Sequence, residues 1–352
     1  MQRQKTNTVR CLLLVSVLIG VVGGGCGVGS HGNELKIRHE AELAVTTVGS
    51  MEVTANIEIT DIPDAMSAFE RAGFSKYVSV FGVHIFSTSR TPDDKILHVA
   101  NVIAQYLDND EDGVPDNPLV LSHLLSRDAY LVFPADEGEF ETMDPELWHR
   151  AGYHCGQFQH AKETRPDFLI DGEIRARDGQ GYDASLEEAL HLITQHGYAN
   201  AYPSVFAEER GSAIANCLDD ARGGYFRTVP TDGPNYGYPE GSWFHYDDET
   251  CEYGCMITEY FYWALTSILG TQNYEGRSGS LKNEWELNTR ELVKSGDPNI
   301  YALLTDPQYK LPTRAPDGNY NPSALPVTAI PIIAVEDERD GGEDENEQRQ
   351  GS

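Results

Sequence analysis

YVSVFGVHIFST (77–88), followed at once by TPDDKILHVANVIAQYL (91–107), decides the fold class. The first run carries no acidic or basic group besides His84 and reads as one buried strand. In the second, Thr91 is a helix N-cap, Pro92 the first helical residue, and Asp93 and Asp94 first-turn acids, so a helix is expected to run to Leu107. Working outward, β-rich runs stand at 42–48 and 51–59, a short helix at PDAMSAFERAG (63–73), and a strand at AYLVFP (129–134). A helix opens at Asp144-Pro145, and FLIDGEIRARDGQG (168–181) reads as a strand ending in a Gly-rich turn. Helices follow from Ser185 and at about 211–222, 255–269 and 283–295, around a Pro/Gly/Tyr-rich loop at 228–250. The expectation is one α+β body over 41–330, a mixed sheet packed with several helices.

Composition narrows the function. The 352 residues hold 26 Lys+Arg against 56 Asp+Glu, a formal net charge of −30. A chain this acidic, with no basic stretch after Arg10, excludes nucleic acid as a partner. Hydrophobic residues at 40% supply a core. Residues 1–10 are polar and basic, 11–22 (CLLLVSVLIGVV) are apolar, and Gly23-Gly24-Gly25-Cys26 follows. That apolar run is too short to span a bilayer, so residues 1–25 read as an export signal. The small residues before Cys26 resemble a bacterial lipobox, although Gly23 stands where Leu is usual. This implies lipidation of Cys26, with plain secretion as the alternative, and membrane contact only through that anchor. Residues 26–40 read as a tether and 331–352 as an acidic disordered tail, whose last 17 residues hold eight acids and two bases.

Asp108-Asn-Asp110-Glu-Asp112-Gly113-Val114-Pro-Asp116 has the D-x-D-x-D-G spacing that a hard cation requires. Alternate carboxylates supply oxygens, Gly113 makes the sharp turn, and the Val114 carbonyl adds a ligand. The loop, at 108–119, follows one predicted helix and Asn117-Pro118 starts the next. It resembles EF-hand and thrombospondin type 3 loops, which implies structural calcium on Asp108, Asp110, Asp112, Val114 and Asp116. Leu119 departs from the EF-hand pattern, whose twelfth position is a Glu, and Asp116 must compensate.

SLEEALHLITQHG (185–197) has two readings. As helix punctuation, Ser185-x-x-Glu188 is a capping box, Glu187 a first-turn acid and His196-Gly197 the C-terminal end. As chemistry, it resembles the H-E-x-x-H helix of zincin metallopeptidases with the first His replaced: Glu187 takes that place, Glu188 matches the general base and His191 the second ligand. A second helix, CMITEYFYWALTSIL (255–269), is apolar on nearly every face, and Glu259 is its only charge. An unpaired buried carboxylate is costly, so Glu259 is protonated, paired, hydrogen-bonded to a Tyr, or bound to metal. In the gluzincin branch a Glu from a second helix is the third ligand, which the resemblance places at Glu259. The implied zinc set is Glu187, His191 and Glu259, with Glu188 as base, in a zincin-like fold.

Outside the leader and Cys26, four cysteines remain: Cys155, Cys217, Cys251 and Cys255. An extracytoplasmic body lets them form disulfides, and sequence leaves all three pairings open. His245, Asp247 and Asp248 lie upstream of the apolar helix and can line the same cleft. His98 reads as a core histidine, and Tyr153-His154-Cys155 with His160 as a surface loop. These observations lead to an exported, calcium-stabilised, zinc-dependent hydrolase of peptides or proteins. The alternatives are a non-catalytic calcium-bound envelope protein, for adhesion or ligand binding, and an iron or copper oxidase.

Overall fold

The computed structural model describes residues 46–175, 181–231, 237–281 and 283–334. The leader 1–25, Cys26, the tether 26–40 and the acidic end beyond 334 lie outside the described residues, as do 176–180 of the expected Gly-rich turn. The chain begins with β1 (Thr47–Val53) and α1 (Ser67–Arg71). The stretch 77–88 is then a hairpin rather than one strand. Its arms, β2 (Lys76–Val80) and β3 (Val83–Ser87), run antiparallel with Tyr77 opposite Phe86. Phe81 (φ 49°) and Gly82 (φ 88°) make the reversal. Two positive φ values suit a two-residue hairpin turn, but a buried Phe carries none of the usual Asn-Gly signal.

Helix α2 (Asp93–Leu107) begins after Pro92, and no side chain caps it. Thr91, the expected cap, instead donates its hydroxyl to the Phe133 carbonyl at 3.1 Å, tying the helix start to the sheet. Next come α3 (Pro118–Leu125) and β4 (Tyr130–Phe133), then the one-turn helices α4 (Glu137–Phe140) and α5 (Glu146–His149), then β5 (Gly156–Phe158). The sheet order is β2-β3-β4-β5, with β3, β4 and β5 parallel, so the sheet is mixed and β5 is an edge. Alternation places Val78, Ile85, Leu131 and Phe133 in the main core against the helices. Tyr77, Phe86, Tyr130 and Val132 line the opposite face, where Phe69 and Trp148 cover them.

FLIDGEI is a second small hairpin, β6 (Leu169–Ile170) and β7 (Glu173–Ile174). The helical part follows: α6 (Ser185–Ile193), α7 (Ala199–Ala201), α8 (Pro203–Phe206), α9 (Ala213–Ala221) and α10 (Tyr253–Leu269). Gly270, at φ 90°, ends α10 in the left-handed conformation that favours glycine. The region 283–295 is helical only from 290, since α11 (Arg277–Leu281) precedes it and α12 (Arg290–Gly296) and α13 (Pro298–Leu304) follow. Finally β8 (Thr328–Ile333) pairs antiparallel with β1. Ordered body thus extends past the boundary expected at 330, because Ile330 and Ile333 are buried. The fold is α+β, one main core uniting sheet and helices. Among the described residues no helix is long and apolar enough to cross a membrane.

Candidate metal centre

Helix α6 starts where Asp183 turns the chain. Its Oδ1 accepts from the Arg165 and Ser185 amides, and its Oδ2 lies 2.7 Å from Nε2 of His98 on α2. The capping box does not form. Ala184 occupies the cap position with no side-chain bond, and the Ser185 hydroxyl accepts from Gln159. Glu188 Oε2 accepts from Gln157 Nε2 of the edge strand β5 at 2.5 Å. Nor does the helix stop at His196-Gly197: a π-helical turn, Thr194–Tyr198, carries it into α7. Leu186, Leu190 and Ile193 enter the core, so the Glu188/His191 side is drawn under the protein surface with them.

Three ligand-bearing side chains of α6, Glu187, Glu188 and His191, bring one ligand atom each within 4.8 Å of one another. Glu259 arrives from α10. His191 Nε2 lies 3.9 Å from Glu259 Oε2, and Nδ1 lies 3.7 Å from Glu188 Oε2. Both separations exceed hydrogen-bond reach, and His191 Nε2 is a buried nitrogen with no partner. Two ligands of one zinc, each at about 2.0–2.2 Å, stand roughly 3.3–3.6 Å apart in a tetrahedral shell. The 3.9 Å between His191 Nε2 and Glu259 is wider than that, and Glu259 lies outside the group formed by Glu187, Glu188 and His191. His191 is 4%, Glu188 6% and Glu259 6% exposed, whereas Glu187 is half-buried.

The electrostatics point the same way. Burial, reinforced by Glu188, pushes the Glu187 carboxyl above its ordinary range, and burial with Glu187 and Glu188 does the same to Glu259. Burial opposes a charge on His191 too, yet Glu259, Glu188 and Glu187 outweigh it and raise its affinity for a proton. Glu163 is pushed up to about 7 by burial and then by Glu188 and Glu187; Glu284 reaches about 7 through burial, Asp247 and Glu187. Arg277 acts on Glu187 and Glu284 in the opposite sense. A crowd of half-buried and buried acids with so little positive charge is a receptor for protons or for a cation.

Rings surround the cluster. Tyr262 stands edge-on to His191 at 5.6 Å between centroids, and Tyr182 edge-on to Tyr262 at 6.1 Å. Burial, then Glu259 and Glu187, raises the Tyr246 hydroxyl well above its ordinary range. Sequence reading missed Gln157, Tyr182, Tyr246, Tyr262 and Arg277. Nothing in their spacing marks them, because they meet only through the tertiary fold.

The acidic loop is a second group. Asp108, Asp110 and Asp112 hold ligand atoms within 4.8 Å of one another between α2 and α3, and Asp108 is fully buried. Asp108 takes the Gly113 amide at 2.8 Å and the Tyr320 hydroxyl. Asp116 lies outside that group, its Oδ2 accepting from the Asn109 amide at 2.6 Å. The Val114 amide donates to Asp112 Oδ1 at 2.7 Å, and the Val114 side chain is exposed. Segment 313–326 closes over the loop: the Thr313 and Arg314 amides donate to Asn109, and the Ser323 amide to the Glu111 carbonyl.

Of the candidate cysteines, Cys251 and Cys255 form a disulfide across the first turn of α10. Cys217 remains a buried thiol, pushed up to about 12 by burial, and Cys155 is half-buried beside β5. Buried His245 lies 4.0 Å from Glu286 through Nδ1. Compared with known proteins, the chain matches no family model, no curated protein and no solved structure. What the site can do is therefore read from its own residues.

Proposed function

We propose that the protein is an exported, metal-dependent hydrolase of peptide bonds, with zinc on His191, Glu259 and Glu187 and calcium on the acidic loop. One observation carries this reading: the buried, unpartnered His191 Nε2 facing the Glu259 carboxylate at 3.9 Å. Imidazole and carboxylate are legitimate zinc ligands, so the residues present fit the ion. Zinc held there supplies Lewis acidity to a water or a carbonyl at neutral pH.

The chain's own groups do the rest. Glu188 accepts from Gln157 through Oε2, and the same oxygen lies 3.7 Å from His191 Nδ1. Neither contact uses Oε1, and that oxygen takes the proton of an attacking water. Tyr262, held protonated by burial and hydrogen-bonded to Glu187, is the hydroxyl nearest the ring of His191 and the candidate donor to a developing oxyanion. The Cys251–Cys255 disulfide is compatible with an oxidising compartment, and a leader at 1–25 with lipidation at Cys26 would deliver the body there. Peptide cleavage by the purified body, after chelation and reloading with zinc, tests the reading. Zinc uptake at one equivalent without cleavage of any peptide in a mixed-sequence library sinks it.

A second reading has an observation of its own. Cavities of about 390 and 430 Å³ lie elsewhere, the first lined by Leu97, His98, Asn101 and Gly318, the second by Gln105, Leu269 and Arg314. The acidic loop is tied by hydrogen bonds to segment 313–326, and the Glu/His cluster is largely buried. That arrangement favours a non-catalytic, calcium-bound envelope protein whose buried cluster holds a structural ion.

A further inference from the structure

Arg277 stands at the solvent edge of the cluster without an acid to pair with. Its Nε donates to Gln272 Oε1 at 2.7 Å, and among the described residues no carboxylate oxygen lies within 4.0 Å of its guanidinium. Instead the group rests on aromatic faces, 4.7 Å from Tyr182, 5.5 Å from Trp263 and 5.8 Å from Tyr274. Those rings connect it to the centre, since Tyr182 packs on Tyr262 and Tyr262 on His191. Had Arg277 served as counterion to Glu187 or Glu284, a flexible side chain would have closed on one of them. Gln272, the rings and the Tyr274 hydroxyl, which takes another of its N–H groups, hold it back. Beneath it, Trp263 is 5% exposed and its indole N–H is buried with no acceptor. A guanidinium without a carboxylate and a buried indole N–H without an acceptor therefore lie close together, beside half-buried Tyr182.

We infer that Arg277 binds a carboxylate of the substrate, so that the enzyme acts on peptides bearing a free carboxylate next to the bond cleaved. A planar guanidinium stacked on rings matches a carboxylate with two parallel hydrogen bonds, which an ammonium cannot reproduce. In so acidic a protein the anion needs a local cation, and a divalent ion at His191 removes much of the opposing charge. The source of the carboxylate is a peptide C-terminus or an acidic side chain. This inference rests on the hydrolase reading, but its first test does not require turnover.

The test is binding of hippurate to the full chain, read by titration calorimetry and by the melting temperature, with and without zinc. Hippurate should bind the wild type, and Arg277→Gln should weaken it at least tenfold. Arg277→Lys should recover only part of that loss, and uncharged hippuramide should bind both forms equally poorly. Circular dichroism of each variant checks the fold, and the lysine variant keeps the charge if the glutamine variant is perturbed. Tighter binding of hippurate than of N-acetyl-isoglutamine assigns the C-terminus, and the reverse order assigns a side chain. Wild type that does not bind hippurate, Arg277→Gln that binds it equally well, or inorganic phosphate displacing it at equal concentration each overturn the inference. In the hydrolase assay, Arg277→Gln should raise KM tenfold or more with kcat little changed. Hippurate bound through Arg277 in a protein that cleaves no peptide would leave the anion site standing and remove the hydrolase.

Discussion

His191 of α6 and Glu259 of α10 face each other with Nε2 and Oε2 3.9 Å apart, beyond a hydrogen bond and within reach of one ion. Their helices pack in one core, so the pair is fixed by the same apolar contacts that bury it. Without an ion, the carboxylate and its neighbours hold protons at pH values where free carboxyls have lost them. That is a cost to the fold at neutral pH, and a cation bound there would remove it.

Metal loss should follow either ligand. His191→Ala and Glu259→Gln should each abolish zinc binding by titration calorimetry, along with the rise in melting temperature that zinc gives the wild type. Retention of stoichiometric zinc by both variants would rule out the shared site.

The metal-free protein should lose stability as pH rises. The folded pKa values of Glu259, Glu187 and His191 are raised, so the native state binds more protons than the unfolded state, and their contribution disappears as pH climbs through those raised values. Each extra proton held gives a slope of about 1.4 kcal/mol per pH unit. Urea unfolding of chelated protein between pH 5 and 8 measures it, and Glu259→Gln should flatten the slope. An identical slope in the variant would show that Glu259 does not titrate in this range.

Glu188→Gln should keep zinc and lose roughly 10²–10⁴-fold in hydrolysis, because an amide cannot take the proton from water. Zinc content and kcat measured on one preparation separate the two effects. Hydrolysis that survives the substitution would leave Glu188 only its hydrogen bond with Gln157.

How much of this was legible in sequence depends on the range of the contact. Glu259 stood out as one charge in an apolar helix, and Glu187 and His191 shared a face by spacing alone. The hairpin at 77–88 was hidden because Phe81, at φ 49°, does a turn residue's work with a core side chain. The capping-box alternative fails because Glu188 and Ser185 find partners in Gln157 and Gln159, on and beside β5. Local spacing cannot rank a cap against a partner brought by the sheet. Arg277 was invisible for the same reason, its neighbours being rings from α10 and the loops.

Calcium removal should loosen the chain beyond the loop itself. Asp108 takes the Tyr320 hydroxyl, Asn109 the Thr313 and Arg314 amides, and a Cβ at Gly113 would run into the Ala324 carbonyl. A chelator, or Asp108→Ala, should therefore lower the melting temperature and speed hydrogen exchange across 313–326. Gly113→Ala should destabilise as well, since φ at 113 is 91°. Unchanged exchange in chelator would mean that the loop's own hydrogen bonds suffice without an ion.

On the acid side the sign reverses. His84 is buried in β3, its Nδ1 2.8 Å from the Tyr77 hydroxyl, and burial holds its pKa down at about 4. Burial lowers His123 and His196 to about 4 as well. For such a histidine the unfolded state takes up a proton first, below its ordinary value near 6.5. Its stabilising contribution is whole above that pH and is lost as pH falls toward 4. For His84 the loss is of order 3 kcal/mol. The acidic cluster works against this in metal-free protein, so the measurement belongs to the zinc- and calcium-loaded form or to a comparison of variants. His84→Gln keeps a polar group for Tyr77 without a titrating ring, and should unfold in urea with a shallower pH dependence between 6.5 and 4 than wild type. If the two curves run parallel through that window, His84 is protonated in the folded protein and Tyr77 must act as its acceptor.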